Sequence, residues 1–243
     1  MLSKRLTYST IGRLMELHKK ILITGFEAFA DHEHNPTQRL IEDLSQLHLS
    51  HIETLLLPVS YKQAFAKLKE ALDEKQVDYV ICSGLAYNRE ILNIERIAIN
   101  CESAQIADND GDIALERPIV FNGQNAFFST LPIVKIVEHL NQKGFEAKVS
   151  NTAGTYVCNS LMYQLLDHIA NKSVVGGETS LPSNSTSRQR PDSEKNRTPI
   201  RAGFIHYPPS TLNFEKSQWS PQRILQATLE ILKCCEEESE EKS

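Results

Sequence analysis

Short apolar runs alternate along this chain with longer segments whose apolar residues recur at helical spacing, and that alternation limits the fold more than any other feature. Ile21-Leu22-Ile23 reads as a buried strand ending at Thr24-Gly25. Asn35-Pro36 then offers an N-cap and a first-turn proline for a helix carrying Leu40, Ile41, Leu44 and Leu47. Ile52 to Leu57 reads as a second strand. Ser60 reads as the cap of a helix with Tyr61, Phe65, Leu68 and Leu72 along one face, and Tyr79 to Cys82 as a third strand stopping at Gly84. Further on, a helix is expected from Thr130-Pro132 with Ile133, Ile136, Val137 and Leu140 inward, stopped by Gly144. A strand over Ala147–Ser150, a helix over Val157–Asn171, a strand over Gly203–Tyr207 and a helix opened by Ser220-Pro221 complete the series. Such a series predicts an α/β fold with a mostly parallel central sheet covered by helices on both faces. Residues 95–120 break the rhythm. Glu95 to Asn100 alternates like a strand and Asn109-Asp110-Gly111 is a turn signal, so a small antiparallel excursion is expected there.

The 243 residues fit one such domain over 20–235. Residues 1–19 are rich in Lys and Arg, lack an apolar secretory core, and read as a flexible extension, with Met15 a sensible alternative start. Residues 176–199 are mostly Gly, Pro, Ser, Thr, Asn and charged residues, with Leu181 as the one large aliphatic side chain. They read as a disordered surface insertion, because so little apolar surface cannot offset the entropy of ordering. Residues 236–243 read as an acidic, solvated tail. A net charge of −5 argues against a nucleic-acid binder, and no apolar run is long enough to span a membrane. Five cysteines without CxxC spacing argue against a disulfide framework or zinc ribbon and fit a cytosolic chain with reduced thiols.

Two residues stand out chemically. Cys158 follows the turn Thr152-Ala153-Gly154-Thr155 and falls in the first turn of an expected helix, where backbone N–H groups and the helix dipole stabilise a thiolate and lower its pKa. His206 falls at the end of an expected strand, the edge of an open α/β sheet where ligands gather. Position alone leaves both open to a second reading, as a packed core cysteine and a structural histidine. Asp31-His32-Glu33-His34 matches no helix-borne metal motif and reads as a solvated loop. Gly84-Leu85-Ala86 lacks a dinucleotide or P-loop pattern, so neither cofactor is expected.

Several segments taken together resemble one family, pyroglutamyl-peptidase I, also called pyrrolidone-carboxylate peptidase. In order they are Thr24-Gly25-Phe26-Glu27-Ala28-Phe29 with Asn35-Pro36, Gly84-Leu85-Ala86 with Arg89, Glu95-Arg96-Ile97-Ala98-Ile99-Asn100, Thr152 to Asn159, and Gly203-Phe204-Ile205-His206. The likeness runs from about Lys20 to Pro209. The resemblance implies a three-layer α/β/α sandwich and a cysteine peptidase that removes N-terminal pyroglutamate from peptides through a thioester, without metal or cofactor. It also implies a cytoplasmic location and a homotetramer. The family's catalytic residues fall on Cys158, His206 and Glu95, and the aromatic residues that hold the pyrrolidone ring fall on Phe26 and Phe29.

The chain departs from the family pattern at four places. Gln105 stands where an arginine is usual, a position associated with the substrate carbonyl; Leu85 stands where glutamine is frequent; Tyr87-Asn88 replaces a glycine pair; and the 176–199 insertion lengthens the path from Cys158 to His206. The insertion is expected at the sheet edge opposite the chemistry. The leading expectation is an active peptidase. The alternative, raised by Gln105, is a weakly active or inactive homologue that binds pyroglutamyl peptides or a protein partner.

Overall fold

A continuous apolar run is what a strand needs when helices cover both of its faces, and β1 (Ile21–Phe26) is buried at every residue. The computed structural model describes residues 18–29, 33–174, 198–213 and 215–237. The basic extension and the insertion lie outside the described residues except for the last two of each, as do Asp31 and His32.

Strand β1 pairs in parallel with β2 (Ile52–Leu57) on one side and β3 (Tyr79–Leu85) on the other. Next to β3 lies β8 (Arg201–Tyr207), also parallel. Beyond it, β4 (Leu92–Glu95) runs antiparallel to β8, and β7 (Ala147–Ser150) runs parallel to β4. The sheet order is therefore β2-β1-β3-β8-β4-β7. Four strands share one direction, as the alternation predicted, and the two short strands beyond β8 are reversed.

Three helices, α1 (Pro36–Ser45), α3 (Ile133–Gln142) and α5 (Pro221–Glu237), pack on one face around Ile21, Ile23, Ile205 and Tyr207. The other face carries α2 (Gln63–Glu74) and α4 (Val157–Val174), packed on Leu22, Val80, Cys82 and Phe204. The alternation of these strand residues between two clusters is the period-two pleat seen from the side. Among the described residues, no helix is long and apolar enough to cross a membrane.

The Asn35 and Gly144 signals act as read, whereas Ser60 stands in the turn before its helix, whose N-cap position is Lys62. Asn35 accepts a hydrogen bond from the Thr37 amide at 3.0 Å, a cap of the kind whose loss costs about 1 kcal/mol. Ser60 Oγ accepts from Gln63 N at 2.9 Å, in a turn that leads into α2. Gly144 closes α3 at φ 79°, where a side chain would be strained.

Three boundaries differ from the sequence reading. The alternating run from Glu95 does not form one strand: β4 ends at Glu95, and Ile97–Ile99 (β5) pairs with Ala126–Phe128 (β6) in a separate two-stranded antiparallel sheet. The break falls at Arg96, whose N–H bonds to Ser150 O and whose carbonyl accepts from Ser129 N, so the chain changes partners there. The stretch after Gly111 adds only an isolated bridge, Glu102 to Arg117. Finally, α5 continues through Glu237, two residues into the segment read as a tail, and Glu236 accepts from the amides of His18 and Lys19 at 2.9 Å each.

Candidate active site

Strand alternation puts Phe204 and His206 on the same face of β8, toward α4, with their ring centroids 4.8 Å apart. The neighbour of His206 on β3 is Gly84. A methyl group added at Gly84 would stand 3.0 Å from Cys158 Sγ and 2.9 Å from Phe204 Cζ. The glycine thus makes the recess in which the sulfur sits. Gly84→Ala would force the sulfur or the ring aside; overpacking of this kind costs about 1–3 kcal/mol, and a displacement near 1 Å at a reacting atom can cost about 10²-fold in rate. Gly84→Ala is therefore expected to lower kcat by at least ~10-fold while the protein still folds, measured by steady-state kinetics beside a thermal melt.

Glu95 and His206 come from neighbouring antiparallel strands, 111 residues apart in sequence, and His206 Nδ1 lies 2.8 Å from Glu95 Oε1. Both are buried, Glu95 completely. This contact fixes the imidazole and leaves Nε2 as the ring nitrogen available for proton exchange. The same Oε1 accepts from Arg89 Nη1 at 2.8 Å, while Oε2 is buried without a hydrogen-bond partner. Arg89 also donates to Ser150 Oγ at 3.1 Å and to Thr152 O at 3.0 Å.

Cys158 is carried by the turn that joins β7 to α4. Gly154 takes φ 79° there, and its amide bonds to Thr152 Oγ1 at 3.0 Å. The start of α4 is tied to the small antiparallel sheet. Asn159 accepts from Ile99 N and donates to the carbonyls of Ile99 and Cys101, while Thr155 Oγ1 donates to Ser103 O. The excursion is thus the brace that holds the helix start in place. Amides of a first helical turn have no carbonyl one turn back, so they are available to an oxyanion.

The protonation of Cys158 corrects the sequence reading. Although Cys158 keeps part of its surface open, burial pushes its thiol up to about 12, and the Glu95 carboxylate pushes the same way. Its own backbone N–H and Arg89 act in the opposite sense without prevailing. A helix start does stabilise a thiolate, but here desolvation outweighs it, so the resting group is a thiol that must lose its proton as it reacts.

Cys158 forms one wall of a pocket also lined by Phe26, Phe29, Val59, Leu85, Tyr156 and Val157, with Asn35. Phe29 and Tyr156 stand 6.1 Å apart, and Tyr61 backs Tyr156 edge-on at 5.6 Å. The β1–α1 loop is anchored where the Phe26 amide donates to Thr37 Oγ1 at 3.0 Å. Gly25 lets helix α1 approach: a methyl there would fall 2.5 Å from Thr37 O. Among the described residues, no ionised side chain lines this pocket, so it suits a flat, neutral ligand.

The structure therefore brings Cys158, His206, Glu95, Phe26 and Phe29 to one region. Gln105 is different. It is exposed and outside the pocket lining, on a segment tied to the pocket wall at both ends: Ser103 N bonds to Thr155 O, and Ala107 O accepts from the Tyr156 hydroxyl. Of the other departures, Leu85 is a pocket wall, whereas Tyr87 is exposed. Arg89 and Tyr156 sit inside the recognised motifs, yet the sequence reading gave neither a role. For Tyr156 the signal was available, since it lies two residues before the candidate nucleophile.

A profile of the pyroglutamyl peptidase family matches residues 19–180. The chain is 38% identical over 191 residues to a pyrrolidone-carboxylate peptidase of Brachyspira hyodysenteriae, covering 78% of this chain and 83% of that one. It is 37% identical over 219 residues to pyrrolidone-carboxylate peptidase 1 of Photorhabdus laumondii, covering 88% and 90% respectively. The crystal structure of pyroglutamyl peptidase I from Bacillus amyloliquefaciens superposes with a TM-score of 0.74 at 31% identity, over 90% of this chain and 98% of that one.

Proposed function

This chain belongs to the pyroglutamyl peptidase family, and from that premise we propose how its own residues remove an N-terminal pyroglutamyl group from peptides. The protein is a cysteine-type hydrolase of the pyroglutamyl-peptidase I kind. An N-terminal pyroglutamate is a neutral lactam without an ammonium group, and a pocket walled by Phe26, Phe29, Leu85 and Tyr156, with no charged side chain among the described residues, fits it. Cys158 attacks the pyroglutamyl carbonyl carbon as its proton passes to His206 Nε2, and the carbon–sulfur bond forms. The tetrahedral oxyanion is held by amides at the start of α4. The C–N bond then breaks, the imidazolium protonates the departing amine, and a thioester remains. Water, deprotonated by the now neutral His206, cleaves the thioester, releasing pyroglutamate and restoring the thiol. Glu95 fixes the imidazole and stabilises its cation.

The observation that carries this reading is the pairing of a sulfur at the pocket wall with a histidine whose Nδ1 is fixed by a buried carboxylate. It is tested by alkylation. Pyroglutamate or its amide should protect Cys158 from iodoacetamide, read by mass spectrometry, while free glutamate should not. Equal protection by both, or by neither, would argue against the assigned pocket. Nothing in the comparisons favours the alternative of a homologue that only binds such peptides.

Gln105 is proposed to face the carbonyl side of the bound peptide from the segment that backs Tyr156. A neutral amide makes a weaker hydrogen bond there than the guanidinium usual in the family. Gln105→Arg should raise kcat by about 10-fold or more with little change in KM, because a contact that strengthens in the transition state acts on kcat. Kinetics of both proteins on one pyroglutamyl amide decide it, and no gain would remove Gln105 from the site. The reduced thiols and acidic balance support a cytoplasmic setting, and exposed Phe121, Phe128 and Leu115 support association of copies, as in a tetramer. Sedimentation of the purified protein measures the latter.

A further inference from the structure

The reaction as proposed gives Arg89 no part, yet its side chain ties together three elements of this site. From the loop after β3, its guanidinium reaches Glu95 on β4, Ser150 at the end of β7, and Thr152 O in the turn that carries Cys158. The side chain is about one-quarter exposed (27%), and the carboxylate it meets is fully buried. The loop itself is fixed at its base, since Arg89 N bonds to Ala86 O and Ala86 N to Tyr207 O, the residue after His206.

We propose that Arg89 is a positioning residue that balances the charge of Glu95, so that neither the imidazole of His206 nor the thiol of Cys158 is held too firmly by its proton. The proposal rests on the reading of the site given above. Its physical basis is that one oxygen, Glu95 Oε1, accepts from both Arg89 Nη1 and His206 Nδ1 at 2.8 Å, while Oε2 has no partner. A buried carboxylate facing histidine alone would favour the imidazolium strongly and oppose a thiolate nearby. The second effect would hold the proton on sulfur when it should pass to His206, and the first would hold it on His206 when it should pass to the departing amine. With the guanidinium on the same oxygen, the Glu95–Arg89 pair is close to neutral as seen from either group.

Besides His206, which stands on β8 beside Gly84, the groups that face the thiol are Glu95 from β4, Cys82 from β3, Arg89 from the loop between them and Tyr156 from the preceding turn. Glu95 and Arg89 act on it with opposite signs, as the charge argument requires. A purely structural role would be different in kind: Arg89 would then matter as a fork joining β4 to the Cys158 turn, and its charge would be incidental.

The two roles separate in the pair Arg89→Gln and Arg89→Lys. The pH dependence of Cys158 carboxamidomethylation by iodoacetamide, site-mapped by mass spectrometry, reads the thiol without any substrate, so it stays informative even if pyroglutamyl turnover is not observed. The pH profile of kcat/KM on a fluorogenic pyroglutamyl amide reads both groups. Removing the positive charge raises the proton affinity of both imidazole and thiol, so Arg89→Gln should slow Cys158 alkylation about 3-fold or more at every pH below its midpoint and move the acidic limb of the rate profile up by about half a pH unit or more. Arg89→Lys keeps the charge but loses the fork, so its limbs should stay near those of the unmodified protein while kcat falls. The proposal is overturned if Arg89→Gln lowers kcat with its profile unmoved, or if Arg89→Lys moves as far as Arg89→Gln. Should Arg89→Gln fail to fold, the Arg89→Lys profile alone decides: limbs kept in place support the charge role, and displaced limbs overturn it.

Discussion

Replacing Cys158 with alanine is expected to abolish turnover of pyroglutamyl amides, by about 10⁵-fold or more, the scale on which loss of a nucleophile acts in hydrolases of this type. Cys82→Ala and Cys101→Ala should keep most of the activity. Of the five thiols, Cys158 is the one that lines the pocket; Cys82, Cys234 and Cys235 are buried in the core, and Cys101 is only part-buried beside the small sheet. Burial also pushes the Cys82 thiol up to about 12, as it does for Cys158, so the two are not separated by acidity. They are separated by access and by a base. Kinetics of the three variants check the assignment, together with the site of iodoacetamide labelling. Inactivation that maps to Cys82 or Cys101 would overturn it.

Glu95→Gln should be nearly as damaging, with kcat reduced by about 10³–10⁴-fold, comparable to the cost of amidating the orienting acid in a catalytic triad. The amide keeps the shape of the carboxylate but not its charge. Its oxygen can accept from His206 or Arg89, and its NH2 would then occupy the buried position of Oε2, which has no hydrogen-bond partner in the structure. The imidazolium formed on proton transfer also loses its counter-ion. Because Arg89 is left without its carboxylate, the melting temperature should fall as well. Glu95→Asp, which keeps the charge at a shorter reach, should restore part of the rate. A Glu95→Gln protein of near-normal kcat would show that the acid has no part in orienting His206.

How much of this was readable in advance depends on how local each determinant is. The strands over Ile52–Leu57 and Ala147–Ser150, the Asn35 cap and the Gly144 stop are written in neighbouring residues, and they appear where those residues placed them. The direction of β4 and β7 was not readable: a four-residue strand carries the same apolar pattern either way, and only its pairing with β8 sets its sense. The split at Arg96 has the same origin, since its backbone partners Ser150 and Ser129 are distant in sequence.

In the site, Cys158 and His206 were identified by their places on elements and by motif order, Glu95 by the resemblance alone, and the three converge in space. What the motifs could not disclose was charge and solvation. The helix start at Cys158 suggested an acidic thiol, but the apolar surroundings supplied by folding reverse the sign. Arg89 was visible as a motif residue, yet its bonds to Ser150 and Thr152, 61 and 63 residues away, emerge only when β4 and β7 lie side by side. Of the 176–199 insertion only the last two residues are described, together with its flanks. From Cys158, α4 climbs about 24 Å to Val174, and β8 begins at Arg201, at the end away from His206.

The most direct measurement is the release of a fluorescent amine from pyroglutamyl, prolyl and glutamyl amides by the purified protein and its Cys158→Ala variant. The account predicts turnover of the pyroglutamyl amide, at least about 10²-fold slower turnover of the prolyl and glutamyl amides, which lack the lactam carbonyl or carry an ammonium group, and none with the variant. Preference for the prolyl or glutamyl amide, or pyroglutamyl turnover that persists in Cys158→Ala, would contradict it.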